Sequence, residues 1–187
     1  MALIYLAPLI VTLFVLLEQK VYRHVERSQA AGARPLEILA AHFVTNGAIL
    51  VIQTGFMMVV SLLYFEAQVH GSVLLLLAIV YLEGVAGIAL AILMATVLDN
   101  KLAALVFVYG LTISLWMICG VFWPTENINF AVARQSVQIL PLTWPIETAR
   151  NIMNRGWSID HTYVMLGFGS ATFYAVVPML LSYVVFK

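Results

Sequence analysis

Five long apolar runs separated by short polar segments dominate the hydrophobic pattern of the chain. A helix needs about 20 apolar residues to cross the hydrocarbon core of a bilayer, and all the runs except the first exceed that length. The pattern therefore predicts an all-α integral membrane protein, with residues 1–187 forming a single domain. The five predicted transmembrane helices are residues 2–17, 36–65, 72–98, 102–122 and 162–186.

Composition supports this assignment and limits the partners of the chain. Hydrophobic residues make up 63% and charged residues 10%, whereas about 25% is charged in a soluble domain. The mean hydropathy is +1.00. The formal net charge is zero, and no Lys/Arg run predicts a nucleic-acid partner. The first apolar run lacks the basic flank and nearby cleavage site of a secretory signal. The lipid bilayer is therefore the first partner that we expect.

The loop between the first two predicted spans, residues 18–35, holds four of the nine Lys and Arg residues. Its basic residues are Lys20, Arg23, Arg27 and Arg34. The positive-inside rule places this loop in the cytoplasm. Val21, Tyr22 and Val25 share one side at helical spacing, which predicts a short amphipathic helix along the membrane surface.

The segment before the last span, residues 123–160, is predicted to be a broken exterior excursion. It contains Pro124, Pro141 and Pro145, and each proline removes a backbone donor and disfavours helix at the preceding residue. Because residues 139–152 are largely apolar, we expect re-entrant packing against the spans. The aromatic residues Phe122, Trp123, Trp144 and Trp157 fit an interfacial belt.

Several polar side chains fall inside the predicted spans. His42, Asn46 and Gln53 share one face of the second span, and we favour hydrogen bonding between helices over substrate contact for them. Glu83 lies near the middle of the third span, where a charge costs at least ~2.5 kcal/mol. It is either a hydrogen-bonded packing residue or a lining or gating residue, and both interpretations stay open. The similar depths of Gln53 and Glu83 predict a hydrogen bond between them.

Small and sulfur-containing residues add two expectations. Gly87, Ala91 and Ala95 are spaced by four and predict a seam along which another helix approaches closely. The single cysteine, Cys119, excludes an intrachain disulfide. It is interpreted as an apolar filler, with an intermolecular disulfide as the minority alternative.

No motif predicts catalysis by this chain. A phosphate-binding G-x-x-x-x-G-K-[ST] is absent from the sequence, so this route to ATP hydrolysis is excluded. The four histidines are scattered without the H-E-x-x-H spacing of a zinc site. We therefore expect no catalytic residue, no metal and no cofactor held by the chain itself.

Three segments in the same order resemble the type-2 membrane domains of ABC transporters, closest to the G-like and H-like eukaryotic half-transporters. The first comprises Glu26, Arg27, Gly32 and residues 35–37, and the second comprises residues 87–104. The third comprises Gly120, Trp123, Pro124, Glu126, residues 140–143, Glu147, Arg150 and residues 155–157. Together they cover nearly the whole chain.

The resemblance implies a coupling helix around Tyr22, Arg23, Glu26 and Arg27 that docks on an ABC nucleotide-binding domain. ATP and Mg²⁺ would be held by that partner. It also implies that two membrane domains pair, as a homodimer or heterodimer, around a central path that the broken exterior helices cap. The family has six spans and an ATP-binding domain, so we expect this five-span chain to be a fragment, a truncated gene model or a separate membrane subunit.

The expected function follows from the same resemblance. The chain is predicted to be the membrane part of an ATP-driven exporter of a lipid-like or amphipathic substrate, in the plasma membrane and coupled through the 18–35 loop. The alternative is a membrane scaffold or accessory subunit that is not energised.

Overall fold

The computed structural model describes residues 2–21, 27–28, 30–32, 34–98, 100–119, 121 and 136–186. Its helices are α1 (Ala2–Val21), α2 (Pro35–Val59), α3 (Val73–Val97), α4 (Lys101–Ile118), α5 (Thr143–Arg155) and α6 (Thr162–Phe186). A π-helical turn, Val60–Tyr64, continues α2. All but α5 are long and apolar enough to cross a membrane. The predicted all-helical fold with five candidate spans is therefore confirmed, and no strand occurs among the described residues.

Local sequence signals set several helix ends. Pro35 occupies the first turn of α2, and the backbone N–H of Arg34 donates to the Glu37 carboxylate at 3.0 Å. Asn100 caps α4 by accepting from the N–H groups of Leu102 and Ala103 at 3.0 and 3.1 Å. Gly156 ends α5 with a φ of 65°, a conformation that glycine adopts without steric cost.

Three boundaries differ from the predicted spans. The first span was predicted to end at residue 17, but α1 continues to Val21 and places Glu18 and Lys20 on the helix. The second was predicted as one continuous helix to residue 65, but its last turn is π-helical. The fourth was predicted to reach residue 122, whereas α4 ends at Ile118 and residues 120 and 122 lie outside the described part of the chain.

Helix α3 is the centre of the packing and contacts α1, α2, α5 and α6. Its residues from Glu83 to Ala89 are all buried, because glycine and alanine let its neighbours approach closely. A Cβ atom added at Gly87 would lie 2.5 Å from the carbonyl oxygen of Tyr5 on α1. The close approach predicted for the small-residue seam is therefore present at Gly87.

Two groups of described polar contacts lie at opposite ends of this bundle. At one end, named the basic end, Lys101 Nζ is 3.5 Å from Glu18 Oε1, and Lys20 Nζ donates to the Ala95 carbonyl at 3.4 Å. At the other end, residues 136–160 form the cap, with α5 as its main element. Helix α3 runs from the cap to the basic end over 25 residues, a distance of about 37 Å.

Candidate functional site

Side chains of the cap and of α6 form close contacts that hold the cap against α6. Thr148 Oγ1 on α5 donates to the Tyr163 carbonyl at 3.0 Å. Gly167 gives Thr148 the space that it occupies, because a Cβ atom at this glycine would lie 2.7 Å from Thr148 Cβ. Tyr174 donates its hydroxyl hydrogen to the Ile139 carbonyl. The buried residues of α5 are Thr143, Pro145, Ile146, Thr148, Ala149 and Ile152.

The loop between α2 and α3, residues 65–72, holds the other end of α5. The backbone N–H of His70 donates to the Met153 carbonyl at 3.0 Å. The Nδ1 atom of His70 lies 3.1 Å from the same oxygen and donates to it in the tautomer that carries its proton there. A Cβ atom at Gly71 would lie 2.6 Å from the Ile152 carbonyl oxygen. The cap is therefore bound both to α6 and to the loop formed by residues 65–72.

Aromatic rings cluster where α5 leads into α6. The Trp157 and His161 rings stack with centroids 3.6 Å apart, and Tyr163 lies 5.9 Å from Trp157. Trp144 is 6.1 Å from Tyr163, and the Arg155 guanidinium lies 4.9 Å from the Trp157 ring centre. In the sequence, the local indication of this cluster is that Trp157 and His161 are only four residues apart. We did not predict the cluster from this spacing.

The exterior residues singled out from sequence fall into two groups. Pro141, Trp144, Glu147 and Arg150 are half-buried in the cap. The other four, Gly120, Trp123, Pro124 and Glu126, lie outside the described residues. The described part of the predicted excursion thus packs on α3 and α6, and the roles of these eight side chains stay predictions.

One residue of the predicted coupling helix is described at the basic end. Arg27 is exposed with helical backbone, and its carbonyl accepts from the Ala31 N–H at 3.0 Å. The other three members, Tyr22, Arg23 and Glu26, lie outside the described residues. The coupling role of all four stays a prediction.

The structure contradicts the predicted hydrogen bond between Gln53 and Glu83. Glu83 is 0% exposed, and neither of its carboxyl oxygens has a hydrogen-bond partner among the described residues. The reason is helix rotation: Leu50 is the α2 residue that packs on α3 here, with its Cδ1 2.5 Å from a Cβ built at Gly84. Gln53 is turned about 60° away from that contact.

Asn46 of α2 forms a side-chain hydrogen bond within its own helix. Asn46 is buried, and its Nδ2 donates to the His42 carbonyl at 2.8 Å. His42 and Gln53 are half-buried. The side-chain hydrogen bond of Asn46 therefore lies within α2, whereas from the sequence we favoured hydrogen bonding between helices. Cys119 is a buried free thiol in this single chain, and its interpretation as a filler stays a prediction.

Comparison with known proteins identifies the family. The family model described as "ABC-2 type transporter" matches residues 1–154 of the chain. The chain belongs to the ABC-2 type transporter family. The resemblance found in the residues is thereby confirmed. The match takes in α1 to α4 and nearly all of α5, so it covers the basic end and residues 136–154 of the cap.

A curated relative supports the same assignment. ABC transporter G family member 20 of Dictyostelium discoideum is 22% identical over 152 residues, which cover 81% of this chain and 20% of that protein. The chain therefore spans about a fifth of the length of this relative. No solved structure matches the chain. The ABC-2 domain is the membrane part of such transporters rather than the ATPase, and in them it associates with an ABC nucleotide-binding domain.

Proposed function

We propose that this ABC-2 domain forms the membrane path of an ATP-driven exporter and that a nucleotide-binding partner drives it through the 18–35 loop. The observation that supports the proposal most is the continuous contact from the basic end to the cap. Lys20 on α1 binds the Ala95 carbonyl of α3, and α3 also packs on α5 and α6. A displacement of α1 at the basic end therefore acts directly on the helix that supports the cap.

The proposed cycle moves helices against each other while each stays intact. The partner binds ATP and displaces the loop, α1 moves with it, and the bundle passes between inward-open and outward-open packings. Glu26 and Arg27 would transmit the displacement. The cap would close the exterior side, since α5 is attached to α6 through Thr148 and to the α2–α3 loop through His70.

The composition of the spans supports an apolar or amphipathic substrate. Away from the helix ends, Glu83 is the one Asp, Glu, Lys or Arg side chain in the described spans, and it is buried. A path with so few charges would solvate a lipid-like molecule better than an ion. We further propose the plasma membrane as the location and pairing with a second membrane domain. Helix α4 supports the pairing, because its exposed surface includes Leu102, Val106, Phe107 and Ile113.

Charge reversal at the coupling loop tests the proposal. The protein is purified with its copurifying ATPase and reconstituted in liposomes, and ATP-dependent movement of a fluorescent phospholipid is measured. We expect Glu26→Lys combined with Arg27→Glu to slow transport at least about fivefold, the lower end of ordinary coupling energies. Arg27→Lys, which keeps the charge, should retain transport. Asp160→Lys is the matched control, because Asp160 is the exposed last residue of the cap, at the end of the bundle opposite the basic end.

Cross-linking tests the same contact independently of the substrate. Cys119 is the only cysteine, so a Cys119→Ala background makes any introduced thiol unique. Arg27→Cys in this background should cross-link to the ATPase, and Asp160→Cys should not. Unchanged transport after charge reversal, or a cross-link from position 160 only, would refute coupling through the loop. Absence of any copurifying ATPase would favour the scaffold function instead.

A further inference from the structure

Glu83 lies near the middle of α3 and is enclosed by other residues. Its side chain is 0% exposed, and every α3 residue from Glu83 to Ala89 is buried. Both carboxyl oxygens are buried without a hydrogen-bond partner among the described residues. A partly open cavity of about 130 Å³, whose wall includes Met57, Val80 and Met153, does not include Glu83. In the described part of the chain, this carboxyl group is therefore neither exposed to water nor paired with a donor.

The titratable neighbours of Glu83 carry no positive charge. Tyr5 of α1 and Cys119 after the end of α4 both interact with it electrostatically. Tyr174 of α6 interacts with these two residues in turn. Helix α2 packs here through the apolar side chain of Leu50. All these side chains are neutral, so none of them compensates a carboxylate.

Charged groups further from Glu83 do not provide a counter-ion among the described side chains. Helix α5 packs on α3, but its charged residues Glu147, Arg150 and Arg155 do not act on Glu83. The cation whose charge reaches Glu83 is the amino group at the start of the chain, and residue 1 lies outside the described residues. Any test must therefore separate the effect of this amino group from that of the enclosure.

An enclosed carboxyl group without a partner is stable only in its neutral form. A glutamate in water is ionised at neutral pH. Inside a protein or a bilayer, an isolated carboxylate loses its hydration without compensation, and such a group takes up a proton instead. A neutral acid leaves one donor unsatisfied, which costs much less than an unpaired charge.

We propose that Glu83 is a proton-binding site of the domain. In the packed bundle it is a neutral carboxylic acid, and it releases the proton to water only when α1 moves away from α3. The carboxylate left behind opposes the return of α1, so proton uptake favours the packed arrangement. The ligand is a proton, so the enclosed position needs no space for a molecule. The proposal does not rest on ATP-driven transport, and either can fail without the other.

Infrared spectroscopy of the full-length protein in lipid nanodiscs tests the proposal. A protonated carboxyl group has a C=O stretching band separate from the bands of carboxylates and of the amide backbone. The other described acidic residues are not buried and are ionised at about pH 7.5, so we expect a band from Glu83. Glu83→Gln keeps the side-chain size and should remove the band. Glu66→Gln, at an exposed acid of the α2–α3 loop, is the matched control and should retain it.

Two further samples make the assignment independent of the variants. Protein labelled with ¹³C-glutamate should show the band at a shifted frequency, which identifies a glutamic acid even if Glu83→Gln does not fold. Protein with an acetylated amino terminus lacks the positive charge at the start of the chain. We expect the band with and without acetylation, because enclosure alone keeps Glu83 neutral.

The pH dependence of stability gives a second readout. The packed state holds a proton that the unfolded state releases, so unfolding should become easier as the pH rises. The unfolding equilibrium constant should increase by up to about tenfold per pH unit. Unfolding in mixed detergent micelles is compared for the wild type and Glu83→Gln from about pH 6 to about pH 9. The histidines are present in both proteins, so the difference between them reports Glu83.

Three spectroscopic results would overturn the proposal. They are no band in the wild type, a band that is unchanged in Glu83→Gln or by ¹³C-glutamate, and a band that requires acetylation. The last result would show a Glu83 carboxylate paired with the amino group. An equal pH dependence of unfolding in the wild type and Glu83→Gln would overturn it as well.

Discussion

Replacing Gly87 by alanine tests the packing of α1 on α3. The added Cβ atom would lie 2.5 Å from the Tyr5 carbonyl oxygen, whereas an ordinary van der Waals contact begins at 3.4 Å. The obstructing atom belongs to the backbone of α1 and cannot rotate away. The helix must therefore move by about 1 Å, which loosens packing along its length.

Two opposing contributions determine how much Gly87→Ala changes the free energy of unfolding. Alanine is about 1 kcal/mol better than glycine inside a helix, and overpacking costs about 1–3 kcal/mol. Because the clash is with backbone, we expect the upper part of that range and a net loss of about 1–2 kcal/mol in the free energy of unfolding. For a chain of this size the midpoint of thermal unfolding would fall by about 2–8 °C.

The assay is thermal unfolding in detergent for three glycine-to-alanine variants. Gly110 has no atom within 4 Å of its added Cβ, so Gly110→Ala should be neutral or stabilising by up to about 1 kcal/mol. Gly84→Ala meets only the end of the Leu50 side chain, which can move, so its cost should be intermediate. Equal stability of the Gly87 and Gly110 variants would refute the close contact between α1 and α3.

Two further predictions concern the cap and the basic end. Gly167→Ala should destabilise the protein by about 1–3 kcal/mol and speed proteolysis of the cap, because the new methyl group collides with Thr148, whereas Gly169→Ala meets nothing within 4 Å and should be silent in both assays. Glu18→Gln should change the stability by less than about 0.5 kcal/mol at moderate salt, because its ion pair with Lys101 is partly exposed; a chemical-unfolding difference above 1 kcal/mol would contradict this.

The number and type of the helices could be read from the sequence because hydropathy and capping are local properties. Helix α3 shows this well: its 25 residues, apolar or small apart from Glu83 and Thr96, follow Ser72, whose hydroxyl accepts from the Leu75 N–H at 3.4 Å. The end of α1 was missed for a related reason. Charged residues such as Glu18 and Lys20 lower hydropathy without ending a helix, so hydropathy alone placed the boundary too early.

The site could be predicted only where its contacts are local. Depth along two helices suggested that Gln53 would meet Glu83, but rotation about the helix axis decides contact, and Leu50 occupies that position. The bond between His70 and Met153 joins residues 83 positions apart, and no feature near either one indicates it. The same holds for the cavity lined by Met57, Val80 and Met153, which exists only where several segments meet.

On the proposed mechanism, the position of α3 is what couples the two ends of the domain. Its glycines bring the neighbouring helices close to its backbone, as Tyr5 of α1 and Leu50 of α2 show at Gly87 and Gly84. The contact at Gly87 is with the backbone of α1 and therefore leaves little room for side chains to absorb a shift. On the proposed mechanism, movement of α1 at the basic end is therefore passed to α3 and on to α5 and α6, which contact it. A variant that separates α1 from α3 should reduce the transport obtained for each ATP hydrolysed. It should have a smaller effect on the membrane domain or the ATPase when each is measured separately.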